Sequence, residues 1–272
     1  MPYLSPALNV MVAAARKAGR PLIRDFGELE NLQISMKGPA DFVSNADERT
    51  ERILIEELSR VRPGYPILAE ESGARDGPDK SHRFIIDPID GTTNFLHGVP
   101  VFAISIALER DGQLVSAVVY NPVTDELFVA EKGHGAYLND KRLRVATRKN
   151  LNETLIATGI PFMGKGDQAF HDLSLAEVRA VIARTTGIRR CGSAALDLAA
   201  VAAGRFDAYW ERGLNPWDIA AGILLVREAG GVVTEVDGGP EPLKKGDVLA
   251  ANEVLHPQLM KILKDAPAEA RS

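Results

Sequence analysis

The architecture of this chain is set by the segment FIIDPIDGTT at residues 84–93. Its first three residues form a short apolar run, which predicts a buried strand, and Asp87 stands where that strand ends. Pro88 favours an extended backbone for the residue before it, and Gly91 permits a sharp turn. The segment therefore predicts a strand followed by a turn that brings Asp87 and Asp90 to one side.

A second short apolar run, ILA at residues 67–69, also ends on an acid, Glu70. A carboxylate at the carboxyl end of a strand points into the crevice outside a layered α/β sheet, where ligands bind. We therefore expect Glu70 to lie beside Asp87 and Asp90.

Clustered carboxylates repel one another, so these acids need either a proton or a cation. Two unit charges about 4 Å apart cost roughly 4 kcal/mol at an effective dielectric of about 20. Hard oxygen ligands without nearby His or Cys favour Mg²⁺, Mn²⁺ or Ca²⁺ over zinc. The alternative is that the acids only cap turns, which explains a single Asp better than it explains the whole run with Glu70 upstream.

Two further segments offer groups to the same site. Thr92 is expected to orient a nucleophilic water or to begin the helix after the turn, and a role as N-cap of residues 93–96 is compatible with the first of these. A helix that starts here would direct the backbone N–H groups of Gly91 and Thr92 towards a bound phosphate. The tetrapeptide NPWD at residues 215–218 opens an apolar helix. The helix dipole alone favours an acid such as Asp218 in its first turn, so the residues themselves do not require a ligand there.

Length, charge and cysteine content limit the class of protein. The 272 residues, 45% of them hydrophobic, can bury a large core. The net charge of -5 without a basic stripe argues against a nucleic-acid binder, and an acidic protein that acts on an anion needs a cation at its site. The single cysteine, Cys191, fits a reducing compartment. Neither a signal peptide nor a membrane-spanning run is evident, so we expect a cytoplasmic protein.

Two patterns succeed one another along the chain. Up to about residue 150, two helical patterns accompany a run of strands with a hairpin signal at Asp111-Gly112, which predicts an α+β half. From 151 to about 265, strands alternate with helices, which predicts an α/β half. No long linker separates the halves, so we predict a single domain over residues 1–272 of the α/β class.

Capping signals locate the second helix. Asn45 followed by Glu48 resembles a capping box, which predicts a helix from residue 45 to about residue 61. The first helix is predicted over residues 5–26 from the spacing of its apolar positions.

Three separated segments resemble the signatures of the inositol monophosphatase family. They are AEES at residues 69–72, IDPIDGTTNF at residues 86–95 and WDIAAG at residues 217–222. The likeness extends from about residue 5 to about residue 265. It implies a layered αβαβα sandwich, usually a homodimer, that binds two or three Mg²⁺ ions and is inhibited by lithium.

The resemblance also implies a set of metal ligands. Glu70, Asp87 and the backbone carbonyl of Ile89 match the ligands of a first metal. Asp87, Asp90 and Asp218 match those of a second metal. Asp218 thus gains a role that its helix position alone does not require.

Other positions match the groups that handle water and substrate. Asp47 and Thr92 resemble the pair that orients the attacking water, with Glu70 touching the same shell. Gly91 and Thr92 would hold the phosphate, and Lys37 matches a basic loop position near the metals. The positions that resemble those holding substrate hydroxyls are Gly192, Ser193, Ala194, Glu211 and, as a further candidate, Arg189.

The family likeness also bears on the substrate, a small-molecule phosphate ester. TNF at residues 93–95 is similar to the version found in inositol monophosphatases, which implies hydrolysis of inositol 1-phosphate or a similar polyol phosphate by a metal-activated water. Fructose 1,6-bisphosphate, histidinol phosphate and a 3′-phosphonucleotide remain alternatives. Residues 161–170 match the family least and are candidates for the substrate border. A regulatory or scaffold protein that retains the fold is the alternative of another class.

Overall fold

A computed structural model describes residues 5–29, 34–38 and 41–269 of the chain. The first helix, α1, spans Pro6–Gly27, with the Ser5 side chain accepting a hydrogen bond from Leu8 N at its start. Its buried side chains recur at helical spacing, as predicted. The side chain of Lys37 lies outside the described residues, so its expected role stays a prediction.

Helix α2 spans Asn45–Val61, but its cap differs from the predicted one. The capping box is formed by Ser44 and Asp47, so the prediction of Asn45 and Glu48 was wrong by one residue. Ser44 is the last residue of a strand and has the extended backbone that an N-cap requires. The capping box therefore lies one residue earlier than predicted. The correction matters because it gives Asp47 a structural bond as well as its predicted role.

Eight strands form the first large sheet, and a separate hairpin precedes it. The hairpin pairs β1 (Ile34–Gly38) with β2 (Asp41–Ser44). The sheet strands, in chain order, are β3 (Ile67–Ala69), β4 (Gly73–Arg75), β5 (His82–Asp90), β6 (Ala103–Arg110), β7 (Gln113–Asn121), β8 (Glu126–Glu131), β9 (Gly135–Leu138) and β10 (Lys141–Arg142). Their spatial order is β10-β9-β8-β7-β6-β5-β3-β4. The predicted hairpin at Asp111-Gly112 joins β6 to β7, and both residues have positive φ, at 51° and 74°.

The second sheet and its helices follow in the remainder of the chain. The strands are β11 (Leu155–Thr158), β12 (Gly187–Arg189), β13 (Ala208–Glu211), β14 (Val232–Thr234) and β15 (Val248–Ala251), in the spatial order β12-β11-β13-β15-β14. The helices from α3 onward are α3 (Thr92–Leu96), α4 (Gln168–Ile182), α5 (Ala194–Ala202), α6 (Pro216–Glu228), α7 (Pro242–Lys245) and α8 (Leu255–Glu269), and Leu151–Glu153 forms a short 3-10 turn.

These elements stack as five layers. Helices α1 and α2 pack on one face of the first sheet, while α5 and α6 pack on its other face and also against the second sheet. Helices α4 and α8 cover the far side of the second sheet. Alternate residues of β5 face opposite cores, with Phe84 and Ile86 towards α1 and α2, and Ile85 towards α5 and α6. The predicted αβαβα sandwich of the α/β class is confirmed.

Strand β5 does not end where the sequence predicts. It continues through Pro88 to Asp90, and its pairing with β6 slips between Asp87 and Asp90. The irregular pairing allows Pro88 within the strand, because a bulge does not require its missing N–H. The turn then begins at Gly91, which caps α3 with φ of 101°. Thr92 therefore begins the helix, as predicted, but it is not the N-cap.

Every helix in the described ranges is too short or insufficiently apolar to cross a lipid bilayer.

Candidate active site

The acids predicted from strand ends meet an acid from a helix start. Single carboxylate oxygens of Asp87, Asp90 and Asp218 all lie within 4.8 Å of one another. Asp87 and Asp90 come from the end of β5, and Asp218 comes from the first turn of α6. A strand of the first sheet and a helix of the layer between the sheets therefore bring three carboxylates together.

Asp87 is the most deeply placed of these acids. Its Oδ1 atom accepts a hydrogen bond from Ile89 N at 2.9 Å, and its side chain also bonds to that of Glu70. Burial raises the pKa of Asp87 well above its ordinary value, and the charges of Glu70, Asp90 and Asp218 raise it further. Glu70 thus lies beside Asp87, as the two strand ends predict.

Asp90 is fixed by the start of α5. Its Oδ2 atom accepts hydrogen bonds from Ser193 Oγ and from Ala195 N, the latter at 2.8 Å. Burial raises the pKa of Asp90 to about 6, although the bonds from Ser193 and Ala195 favour the charged form. The helix start therefore orients this carboxylate without cancelling the cost of burying it.

Asp218 combines the two roles that the sequence left open. Its Oδ2 atom accepts a hydrogen bond from Asn215 N at 2.7 Å within the capping box of α6. Burial, followed by the negative charge of Asp90, raises the pKa of Asp218 to about 7. Capping fixes the side chain while leaving it within reach of Asp87 and Asp90.

This group of side chains fits a hard divalent cation. All of the atoms that could coordinate a metal here are oxygens. Burial and mutual repulsion raise the pKa of the Asp87, Asp90 and Asp218 carboxyl groups above the ordinary pKa of an aspartate. A divalent cation removes the same repulsion that the protons remove. Carboxylate and carbonyl oxygens are the ligands that Mg²⁺ prefers.

Asp47 and Thr92 meet beside this cluster. Thr92 Oγ1 lies 3.2 Å from Asp47 Oδ1 and 3.0 Å from the carbonyl oxygen of Ile89. The other oxygen of Asp47 accepts bonds from Ser44 N at 2.8 Å and Ser44 Oγ at 2.7 Å. One carboxylate oxygen therefore holds the helix cap while the other faces Thr92.

The turn at Gly91 is closely packed as well as left-handed. A Cβ atom on Gly91 would lie 2.9 Å from the carbonyl oxygen of Val101. Just beyond the turn, Asn94 Nδ2 donates to Val101 O at 2.7 Å and to Cys191 O at 2.8 Å. Asn94 thus ties the turn at Gly91 to the loop that carries Gly192.

The residues expected to hold substrate hydroxyls are not equally placed. Ser193 is buried, and its hydroxyl is directed to Asp90. Glu211 accepts the Tyr209 hydroxyl at 2.6 Å, and its negative charge acts on both Asp90 and Asp218. Arg189 is exposed on β12 and donates to the carbonyl of its neighbour Ile188, so the structure does not bring it into the acid cluster.

Three contributors to the site were missed by the sequence analysis. Lys165 Nζ lies 3.7 Å from Glu211 Oε1, and its charge lowers the pKa of Asp218. Tyr209 fixes Glu211, and a Cβ atom on Gly159 would overlap the Glu211 carboxylate. Lys165 falls within residues 161–170, which the sequence analysis named only as a candidate border of the substrate, whereas nothing local marks the other two.

Comparison with known proteins identifies the family of the chain. A family model described as the inositol monophosphatase family matches residues 3–268. The chain belongs to the inositol monophosphatase family. The predicted resemblance is thereby confirmed. Relatives named inositol-1-monophosphatase, at 58%, 56% and 52% identity, make the chain an enzyme of the phosphatase class, as predicted.

Several members of the family are closely similar to this chain. An inositol-1-monophosphatase of Mesorhizobium japonicum is 58% identical, over 98% of this chain and 99% of its own. A putative Nus factor SuhB of Neisseria meningitidis serogroup B is 46% identical, over 96% of this chain and 98% of its own. The crystal structure of extragenic suppressor protein suhB from Bartonella henselae superposes with a TM-score of 0.92 at 55% identity, over 96% and 99% of the two chains.

Proposed function

We propose that this protein is a Mg²⁺-dependent phosphomonoesterase that hydrolyses inositol 1-phosphate, or a similar small polyol phosphate, to the polyol and phosphate. The observation that carries the proposal is the convergence of Asp87, Asp90 and Asp218 within 4.8 Å. Family membership and the relatives named inositol-1-monophosphatase support the substrate class.

We propose one set of ligands for each of two metal ions. Glu70, Asp87 and the Ile89 carbonyl would hold one Mg²⁺, and Asp87, Asp90 and Asp218 would hold another. Bound Mg²⁺ lowers the pKa of a coordinated water and offsets negative charge on the phosphate and the leaving oxygen. Two or three ions per site are proposed.

Asp47 and Thr92 would position the attacking water. A hydroxyl has one hydrogen, and that of Thr92 is directed to Asp47 or to the Ile89 carbonyl, both within 3.2 Å. The lone pairs of Thr92 Oγ1 are then left to accept a hydrogen bond from water. Fixing the water in this way favours in-line attack on phosphorus and cleavage of the ester bond without a covalent enzyme intermediate.

The substrate would be held from two sides. Backbone N–H groups at Gly91 and Thr92 would donate to the phosphate. The Glu211 carboxylate and the start of α5 at Gly192, Ser193 and Ala194 would receive the polyol hydroxyls. Arg189 is the weakest of the proposed contacts, because its guanidinium bonds the Ile188 carbonyl at 3.0 Å.

Phosphate release from inositol 1-phosphate, with and without Mg²⁺, tests this function. We expect turnover that needs Mg²⁺ and that lithium inhibits. Fructose 1,6-bisphosphate, histidinol phosphate and a 3′-phosphonucleotide serve as competing substrates. If kcat/KM for one of these exceeds that for inositol 1-phosphate, the proposed substrate is wrong but the proposed metal chemistry stands. If no phosphate is released from any of the four compounds, both proposals are refuted.

We also propose that the protein works as a cytoplasmic homodimer, with the whole chain as one domain. Four large apolar side chains, all between residues 162 and 182, are exposed, namely Phe162, Met163, Leu175 and Ile182. Covering them against a second copy would remove apolar surface from water. Light scattering measures the molar mass of the protein and of a Leu175→Glu/Ile182→Glu variant. We expect a dimer for the unmodified protein and a monomer for the variant.

A second candidate is a regulatory or scaffold role alongside catalysis. Relatives at 46% identity carry the name putative Nus factor SuhB, which favours it. Growth of a strain that lacks the gene, complemented by an Asp90→Asn variant, separates the two roles. Full complementation by the inactive variant supports the second role, and failure supports catalysis alone.

A further inference from the structure

A buried acid on α2 holds the turn that carries Glu70. Glu51 is 3% exposed, and both of its carboxylate oxygens accept backbone hydrogen bonds. Its Oε2 atom accepts from Glu71 N at 2.7 Å, and its Oε1 atom accepts from Ser72 N at 2.9 Å. The bonded amides belong to the two residues that directly follow Glu70.

The turn is held on its other side by the sheet. Glu70 N donates to the carbonyl oxygen of Ile86 at 3.3 Å, the residue before Asp87. The side chain of Glu70 then bonds to that of Asp87. Glu70 is thus fixed between β5 and the carboxylate of Glu51, which leaves its backbone little freedom.

The same helix also reaches the water-positioning pair. Asp47 lies four residues before Glu51, one turn earlier on α2, and its Oδ1 atom faces Thr92. Because a helix is stiff over one turn, α2 sets the spacing between Thr92 and the Glu70 turn. Glu51 can hold the Glu70 turn, and α2 can set its distance from Thr92, without Glu51 touching a metal or a substrate.

We propose that Glu51 is a positioning residue that presents Glu70 to the metal site by accepting the Glu71 and Ser72 amides. This inference rests on the proposed function, since it takes Glu70 as a metal ligand. Outer groups that orient ligands commonly change metal affinity 10- to 100-fold when they are lost, roughly the effect expected here.

The isosteric variant Glu51→Gln tests the proposal. Glutamine keeps the volume, but its NH₂ group would face one of the two amide donors, so one bond is lost and a repulsion replaces it. We expect Mg²⁺ affinity, measured by calorimetry on the folded protein without substrate, to fall by about tenfold. At saturating Mg²⁺, KM for inositol 1-phosphate should stay within about twofold.

Two further variants complete the design. Glu56→Gln changes an exposed acid on the same helix and should leave Mg²⁺ affinity unaltered. Glu51→Asp keeps the charge with a shorter reach, so it should give an intermediate loss and serves if Glu51→Gln does not fold. Mg²⁺ affinity of Glu51→Gln, or of Glu51→Asp in its place, equal to that of the unmodified protein would overturn the inference. Turnover by the unmodified protein decides the proposed function separately.

Discussion

Asp90 and Ser193 are joined by a hydrogen bond across 103 positions of sequence, from the Ser193 hydroxyl to Asp90 Oδ2. The same hydroxyl accepts from Leu196 N and caps α5. The bond therefore links the end of the strand that carries Asp87 and Asp90 to the helix layer between the sheets.

Replacing Ser193 with alanine should weaken both the helix and the metal site. Loss of the cap costs about 1 kcal/mol of unfolding free energy. Loss of the Ser193 bond leaves Asp90 Oδ2 held by Ala195 N alone, so the carboxylate is less firmly oriented. Mg²⁺ affinity should fall by roughly tenfold or more. Urea unfolding and calorimetry measure the two effects.

A matched control is available at the start of α4. Asp167 caps that helix by accepting from Phe170 N at 2.9 Å. Asp167→Ala should cost a similar amount of stability without changing Mg²⁺ affinity. Equal Mg²⁺ affinities for the two variants would mean that Ser193 acts only as a cap.

Asp90→Asn should abolish turnover while leaving the fold intact. Asparagine has the same shape, and its carbonyl oxygen can still accept from Ser193 and Ala195. The lost charge removes a proposed metal ligand, so kcat should fall by roughly a hundredfold or more. Circular dichroism checks the fold, and steady-state kinetics near those of the unmodified protein would contradict the two-metal proposal.

The stability of the metal-free protein should fall as pH rises from about 5 to about 7.5. In the folded chain, the pKa of Asp90 is about 6 and that of Asp218 about 7, both above the value of about 4 in an unfolded chain. The folded state therefore binds more protons than the unfolded state in this range, and stability is lost as pH rises through the folded pKa values. Each group contributes at most about 1.4 kcal/mol per pH unit.

Urea unfolding in a metal chelator measures this dependence. Asp218→Asn should make the slope shallower, because one titrating group is gone. Added Mg²⁺ should restore stability most at the higher pH, where it no longer competes with protons. Stability that rises over this range would refute the proposed titration of the cluster.

Gly91→Ala should be more damaging than the same change at Gly112. Both glycines have positive φ, at 101° and 74°, which costs an alanine about 1 kcal/mol. A Cβ atom at Gly112 meets nothing within 4 Å, whereas one at Gly91 lies 2.9 Å from the Val101 carbonyl oxygen. Gly91→Ala should therefore lose further stability and also turnover, since it moves the Asp90–Thr92 turn. Equal unfolding free energies for the two variants would count against the close contact.

The sequence predicts best what local geometry decides. Asp87 and Glu70 follow short apolar strands, and the parallel pairing of β3 with β5 brings the ends of these strands together. Asp218 could not be placed in this way, because its capping position is common to many helix starts. Its assignment depended on family resemblance, and the geometry now places it beside Asp87 and Asp90.

Tertiary contacts account for the errors and omissions. Ser44 and Asn45 are both good N-caps, and the end of β2 decides between them. The direction of the Ser193 hydroxyl depends on Asp90, and the approach of Lys165 to Glu211 joins a loop to a distant strand. The individual catalytic and substrate roles remain predictions.

The layer of α5 and α6 packs against both sheets, and the starts of its two helices orient Asp90 and Asp218. During synthesis, a ribosome-bound chain that ends before α6 already contains the first sheet but lacks Asp218. The proposed ligand set is therefore complete only after the second half has emerged and docked. Under the proposed function, binding of Mg²⁺ would mark finished folding, because a chain that stalls earlier lacks Asp218.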